Sequence, residues 1–237
     1  MAAGCERGDM RDPANSQGPV PAHSAPADAD APPAPSRIQR RNRARILDAA
    51  LDVFSRHGYR GATLDQIAES AGLSKPNILY YFAGKEEIHV TLLHQLMDRW
   101  LEPLRRLDPN GAPLDELLSY VRRKLEMSQA YPRESRLFAN EILQGAPRIA
   151  PLLEGELKPL FDSTAAVIDG WSRAGAIAPV DARHLIFSIW ATTQHYADFD
   201  AQIGVLMNGA PVSDAAGAHL ADLYRKALTP APEPAAR

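Results

Sequence analysis

Residues 61–85 constrain the fold of this chain more than any other stretch, because they encode two short helices, each with its own start signal, joined by a turn on glycine. Thr63 followed by Gln66 three residues later is a capping box: the hydroxyl accepts from a first-turn amide and the glutamine reaches back to the cap N–H. A helix therefore opens at Leu64 and closes about two turns later at Gly72, the residue type that adopts a left-handed C-terminal conformation without steric cost. Ser74 caps a second helix whose first turn holds Lys75 and Pro76, where proline's missing N–H costs nothing. Leu64, Ile67, Ala68 and Leu73 are expected to pack against Ile78 and Leu79. Two helices this short cannot bury an apolar face alone and need a third.

The third lies upstream. From Arg40 to His57, Leu47, Ala50, Leu51 and Phe54 recur at spacings of three and four, the stripe of an amphipathic helix, and Gly58 ends it. Residues 36–85 carry nine Lys or Arg against four Asp or Glu, whereas the whole chain has a net charge of −3. A chain with that balance is no general polyanion binder, but a confined basic module neutralises phosphates while neighbouring polar groups read base edges. The tip of the second helix presents Lys75, Asn77, Tyr80 and Tyr81. Lysine and tyrosine suit phosphate oxygens, and asparagine pairs with an adenine edge in the major groove. Lys85, at the start of the next helix, falls within reach of the flanking backbone.

Residues 40–100 resemble the DNA-binding domain of the TetR family of transcriptional regulators through Ser74, the run Leu79-Tyr80-Tyr81-Phe82 and the pair Lys85-Glu86. The resemblance implies that the second helix enters the major groove while Tyr81 and Lys85 grip phosphates. Pro76 is less usual in that family, which bears on the bases read. The expected DNA-binding set is Thr63, Ser74, Lys75, Asn77, Tyr80, Tyr81 and Lys85.

The rest of the chain reads as helices, so the fold class is all-α. A connecting helix runs from Glu86 to Leu104, and further helices are expected at about 113–130, 134–145, 149–174, 181–200 and 214–228. Four segments follow: a disordered tail over 1–36, the helix-turn-helix domain over 37–100, an effector-binding and dimerisation domain over 101–229, and a second tail over 230–237. The first tail holds seven Pro and nine Ala among residues 1–35 and has too little apolar surface to offset the entropy of ordering. No apolar run approaches the ~18 residues of a membrane span, the N-terminus lacks the layout of a signal peptide, and Cys5 has no partner for an internal disulfide. The expected location is the cytoplasm.

Residues 185–199 are apolar nearly all round and then abruptly polar, as expected of a helix buried on one side within its subunit and on another by a second copy of the chain. A homodimer presenting two reading heads to a palindromic double-stranded operator follows. Phe187, Trp190 and Gln194 share a face. As plain structure, Trp190 is core and Gln194 satisfies a buried carbonyl. The segments Trp100-Leu-Glu-Pro-Leu, Lys124-Leu-Glu, 131–138, Gly145-Ala-Pro, 168–171 and 190–199 are, however, similar to the second domain of a pyrimidine-responsive TetR-type regulator, which implies uracil or thymine as the effector that releases the operator. Gln194 suits the imide edge of such a base, while Trp100 and Trp190 offer stacking faces and Phe138, Asn140 or Glu141 complete the lining. The expected ligand-binding set is Trp100, Phe138, Trp190 and Gln194. A TetR-type repressor tuned to a lipophilic effector stays open; it requires a large apolar pocket with Gln194 turned away. His195 and Asp198 read as structural, Arg136 as paired with Glu134 or Glu141, and Trp171 as core. No nucleophile elbow, phosphate loop or metal motif accompanies them, so no enzyme activity, metal or cofactor is expected.

Overall fold

The computed structural model describes residues 36–232, so residues 1–35 and 233–237, including most of both expected tails and Cys5, lie outside the described residues. All regular structure among the described residues is helical. Helix α1 (Arg37–Gly61) carries the expected apolar stripe. Its helical backbone breaks at Gly58 (φ +63°, ψ 176°), so its last turn is a separate piece. Helix α2 (Leu64–Ala71) opens on the capping box, with Gln66 N–H donating to Thr63 Oγ1 at 3.2 Å and Thr63 N–H donating to Gln66 Oε1 at 2.8 Å. Gly72 closes α2 in the left-handed region at φ +59°, and a Cβ there would sit 2.5 Å from the Arg45 guanidinium. Helix α3 (Lys75–Tyr81) is capped by Ser74, and α4 (Lys85–Arg105) runs without interruption past residue 100.

Helices α5 (Pro113–Ala130) and α6 (Pro132–Leu143) both begin on proline, where its preset φ is helical. A short α7 (Ala150–Leu152) passes through a π-helical turn, Leu153–Leu157, into α8 (Lys158–Arg173). Helices α9 (Ala182–Asp198) and α11 (Ser213–Leu228) match their expected extents. Between them lies α10 (Asp200–Leu206), which sequence periodicity did not separate from the end of α9. The helices from Arg37 onward form one compact unit.

Two apolar cores support this unit. In the first, Ile46, Phe54, Ile67, Ile78 and Phe82 of the three-helix head are at most 1% exposed and continue into Leu93, Leu137 and Ile149. Each such side chain contributes about 1.5–3 kcal/mol relative to exposure. Leu79, expected in this core, is instead 46% exposed. A seven-residue helix has only one inward row, Ile78 occupies it, and the next residue lies about 100° round. The second core joins α5, α8, α9 and α11 through Leu117, Tyr120, Ile168, Ile186, Ile189 and Leu220.

A reading head and an effector cavity

The exposed end of the head is built from α3. Lys75, Asn77, Leu79 and Tyr80 face solvent, as the sequence predicts for all but Leu79. A seven-residue helix cannot hold itself rigid, and α1 braces it. Gln39 Nε2 donates to the Tyr80 hydroxyl at 3.1 Å, Asn42 Nδ2 to the Tyr81 hydroxyl at 3.0 Å, and Arg43 Nη1 to the Tyr81 carbonyl at 3.1 Å. The Arg43 guanidinium also lies 4.1 Å over the Phe82 ring.

Several residues expected to touch DNA therefore have structural partners. Thr63 and Ser74 are caps, and Lys75 pairs with Asp65 at 3.0 Å on the surface. Lys85 departs furthest from its expected place. It is half-buried, its ammonium donates to the carbonyls of Tyr59 at 2.8 Å and Ala62 at 2.7 Å, and it lies 4.4 Å from the Tyr59 ring centre. Two of its three N–H bonds thus close the frayed end of α1. The break expected at Gly58 leaves those acceptors, but nothing in the sequence pairs them with Lys85.

Away from the head, a cavity of about 40 Å³ is bounded by Met97, Trp100, Leu101 and Leu104 of α4, Tyr120 and Lys124 of α5, Phe138 of α6, Leu157 of the π-helical turn, and Trp190 and Gln194 of α9. The structure brings all four sequence-predicted ligand residues to one cavity. Gln194 makes no side-chain hydrogen bond among the described residues, so its amide is free at the wall. Trp190 is oriented by a 2.6 Å hydrogen bond from its Nε1 to the Tyr120 hydroxyl. Desolvation holds Tyr120 protonated, well above the ordinary phenol range. Buried Lys124 is pushed down to about 7, chiefly by desolvation and against the pull of Asp198. Sequence reasoning missed Tyr120 and Lys124 because both read as ordinary members of an amphipathic helix. A wider groove of about 570 Å³ between α5 and α11 is open to solvent and bordered by Asp115, Arg122, Glu126 and Arg225, without an aromatic wall.

Asn140 and Glu141 do not line the cavity. Glu141 is buried one helical turn beyond Phe138 and accepts from Arg148 Nη1 at 3.1 Å and from the Arg148 backbone N–H at 2.8 Å. The Arg148 guanidinium in turn lies 3.5 Å over the Tyr59 ring. His89 sits edge-on to Phe54 and Tyr59, with Nδ1 unbonded and 4.0 Å from Glu141. Burial first, then Arg148 and Lys85, lowers its pKa to about 4. This cluster stitches α6 to α1 and α4.

His195 stacks on Phe199, and Asp198 accepts from Ser135 Oγ at 2.5 Å. Burial raises the Asp198 carboxyl above its usual range despite that bond. Arg136 pairs with Asp200 at 3.0 Å rather than with Glu134 or Glu141, because the turn into α10 brings that carboxylate beneath it. Trp171 is core, with Nε1 donating to the Pro109 carbonyl at 3.3 Å.

Comparison with known proteins agrees with this arrangement. Residues 46–90 match the family described as bacterial regulatory proteins, tetR family, and residues 93–230 match the C-terminal region of YcdC-like proteins. The chain is 49% identical over 179 residues to the HTH-type transcriptional regulator RutR of Escherichia coli (strain K12), covering 76% of this chain and 84% of that protein. It is 27% identical over 186 residues to the HTH-type transcriptional repressor SCO4008 of Streptomyces coelicolor, covering 78% and 92% of the two chains. The ketosteroid transcriptional regulator KstR2 of Mycobacterium tuberculosis shares its fold, with a TM-score of 0.65 at 20% identity over 80% of this chain and 95% of that one. The helix-turn-helix on its three-helix core, the two matched regions and the half-identical relative together show that this chain belongs to the TetR family, as a ligand-responsive, DNA-binding transcriptional repressor.

Proposed function

We propose that the chain is a cytoplasmic repressor that binds a palindromic operator through α3 and is released by uracil or thymine. The head, residues 37–100, reads DNA, and residues 101–229 bind the effector and form the dimer. The observation that carries the effector assignment is the narrow cavity between Trp100 and Trp190 with the unspent amide of Gln194 on its wall. A pyrimidine dione is flat, stacks on indole, and offers along one edge the acceptor and donor that a glutamine amide complements. An acyl chain or a sterol would need far more of the wall to move than a single ring does, and the polar Gln194 and Lys124 on that wall do not suit it, so the lipophilic alternative is the weaker reading. A single ring enters by displacing Phe138 or Leu157.

That displacement supplies a route to the DNA. Phe138 and Glu141 lie one turn apart on α6, Glu141 holds Arg148, and Arg148 covers Tyr59, whose carbonyl anchors Lys85 at the start of α4. A ligand that favours one setting of this chain of contacts shifts the spacing of the two heads and weakens operator affinity by the same coupling energy. Phe187 of α9 and Leu223 of α11, 49% and 43% exposed, mark the face on which a second copy packs. Lys75, Asn77 and Tyr80 form the DNA contact set, and Lys85 positions them.

Calorimetric titration with uracil, together with operator release, tests this reading. The expected result is one site per subunit and a roughly ten- to hundredfold weaker affinity in Gln194→Leu, from about 1–3 kcal/mol per lost polar contact. Absence of uracil binding to the native protein overturns the assignment.

A further inference from the structure

We infer that Lys124 is the specificity-determining donor of the effector cavity, admitting a ring with two carbonyl oxygens and refusing one in which an amine replaces a carbonyl. The inference rests on the pyrimidine reading above and goes beyond it by naming what distinguishes one pyrimidine from another.

Lys124 projects from α5 into the cavity and is 3% exposed. Among the described residues no carboxylate lies within ion-pair distance of its ammonium, which sits 5.3 Å from the centre of the Trp100 ring. Asp198 is the carboxylate whose field reaches it, and one oxygen of that group is already bonded to Ser135. Trp100 also lines the cavity and offers its ring as a stacking face. The other indole, Trp190, spends its N–H on Tyr120. The cavity wall thus holds the Lys124 ammonium, for which the described residues supply no acceptor, plus a glutamine amide that gives one bond and takes one.

Buried donors left unpaired are costly, and a buried ammonium without a counter-ion more so. A ligand that brings acceptors removes that cost, and one that brings another donor adds to it. Uracil and thymine present two carbonyl oxygens. Cytosine exchanges one of them for an exocyclic amine, whose N–H groups the ammonium can meet only by giving up its own proton. Discrimination by unpaired buried polar groups is the strong kind, far exceeding what an apolar wall achieves between rings of equal size.

The test is calorimetric titration of the native protein, Lys124→Met and Lys124→Gln with uracil and with cytosine, together with ligand-free melting and operator binding. The native protein is expected to prefer uracil by at least about a hundredfold. Lys124→Met should bind uracil roughly ten- to a hundredfold more weakly, its preference should collapse towards unity, and Lys124→Gln, which keeps a donor, should fall between. Lys124→Met should also melt at a higher temperature without ligand and still bind the operator, because the lysine is held for recognition at the expense of the fold. If the native protein binds uracil and Lys124→Met keeps the same uracil-to-cytosine ratio, or if Lys124→Met melts lower, the lysine is structural and the inference is overturned while the pyrimidine reading stands. If the native protein binds neither base, both fall together.

Discussion

Replacing Arg148 with methionine removes a side chain that touches α6, α1 and α4 together. Its partner Glu141 is fully buried at the side chain, Arg148 itself is 17% exposed, and their closest atoms are 3.1 Å apart. Removing one member of a buried pair costs about 3–5 kcal/mol, because the other is left uncompensated. The stacking over Tyr59 adds about 0.5–2 kcal/mol, part of which methionine recovers by apolar contact. The bond from the Arg148 backbone N–H to Glu141 survives the substitution, and the arginine's partial exposure also argues for the lower end. The expected loss is about 3 kcal/mol, read as a lower urea midpoint at unchanged slope, or as a fall of about 6–12 °C in melting temperature for a chain of this size. Glu86→Gln is the control: that carboxylate is 70% exposed and 3.8 Å from Arg148, so stability should not move. Replacing Arg148 and Glu141 together by methionine should recover most of the loss, since an apolar pair removes the stranded charge. Uracil should still bind the single variant, but operator release should be blunted because the link from α6 to the head is cut. A loss below about 1 kcal/mol would refute the view that this pair is desolvated and structural.

Other outcomes follow from the same geometry. His89 falls from 6.5 to about 4 in the folded protein, so the contribution of its neutral form is complete above pH 6.5 and is lost as pH drops towards 4. That window is worth about 3 kcal/mol, and His89→Phe should flatten the fall in denaturation profiles between those two pH values. Asn77→Ala should weaken operator binding by about 1–3 kcal/mol and relax preference at one base pair, read by titrating operators substituted one position at a time. Lys75→Ala should weaken binding to all sequences alike and reduce the salt slope by about one, with no loss of stability, since its pair with Asp65 is solvent-exposed. Tyr120→Phe should strand the Trp190 N–H and cost about 1–3 kcal/mol in melting experiments, with uracil affinity falling as the indole loses its fixed orientation.

The head was legible because its signals are local. A cap hydroxyl three residues from its amide, a glycine at a left-handed turn and a basic segment need no tertiary information to interpret. The four cavity residues Trp100, Phe138, Trp190 and Gln194 also meet as expected, three on helices whose spacing places them inward and Phe138 by likeness to a related regulator. Lys124 and Tyr120 were hidden because a lysine in an amphipathic helix reads as solvent-facing until its neighbours are placed. Lys85 was misplaced for a related reason: the carbonyls that hold it are exposed by a backbone break at Gly58, and backbone acceptors have no sequence signature. The Glu141–Arg148–Tyr59 cluster joins a pair near the end of α6 to a ring in the distant first helix, and no period connects them.

The division of labour within α3 bears on how this protein acquires new targets. The residues that fix the helix in space are Ile78 and Phe82 beneath it and the bonds that Asn42 and Arg43 make to Tyr81, whereas Lys75, Asn77 and Leu79 project outward without supporting the core. On the proposed reading Lys75 and Asn77 contact DNA and Leu79 flanks them, so substitutions at these outward positions change the surface offered to a groove while leaving the mounting intact, and operator preference and foldability become separable traits. A lineage or a designer can therefore exchange these outward positions one at a time and pass through folded intermediates at every step, while the cavity lined by Trp100, Trp190 and Gln194, carried on other helices, is left unchanged throughout.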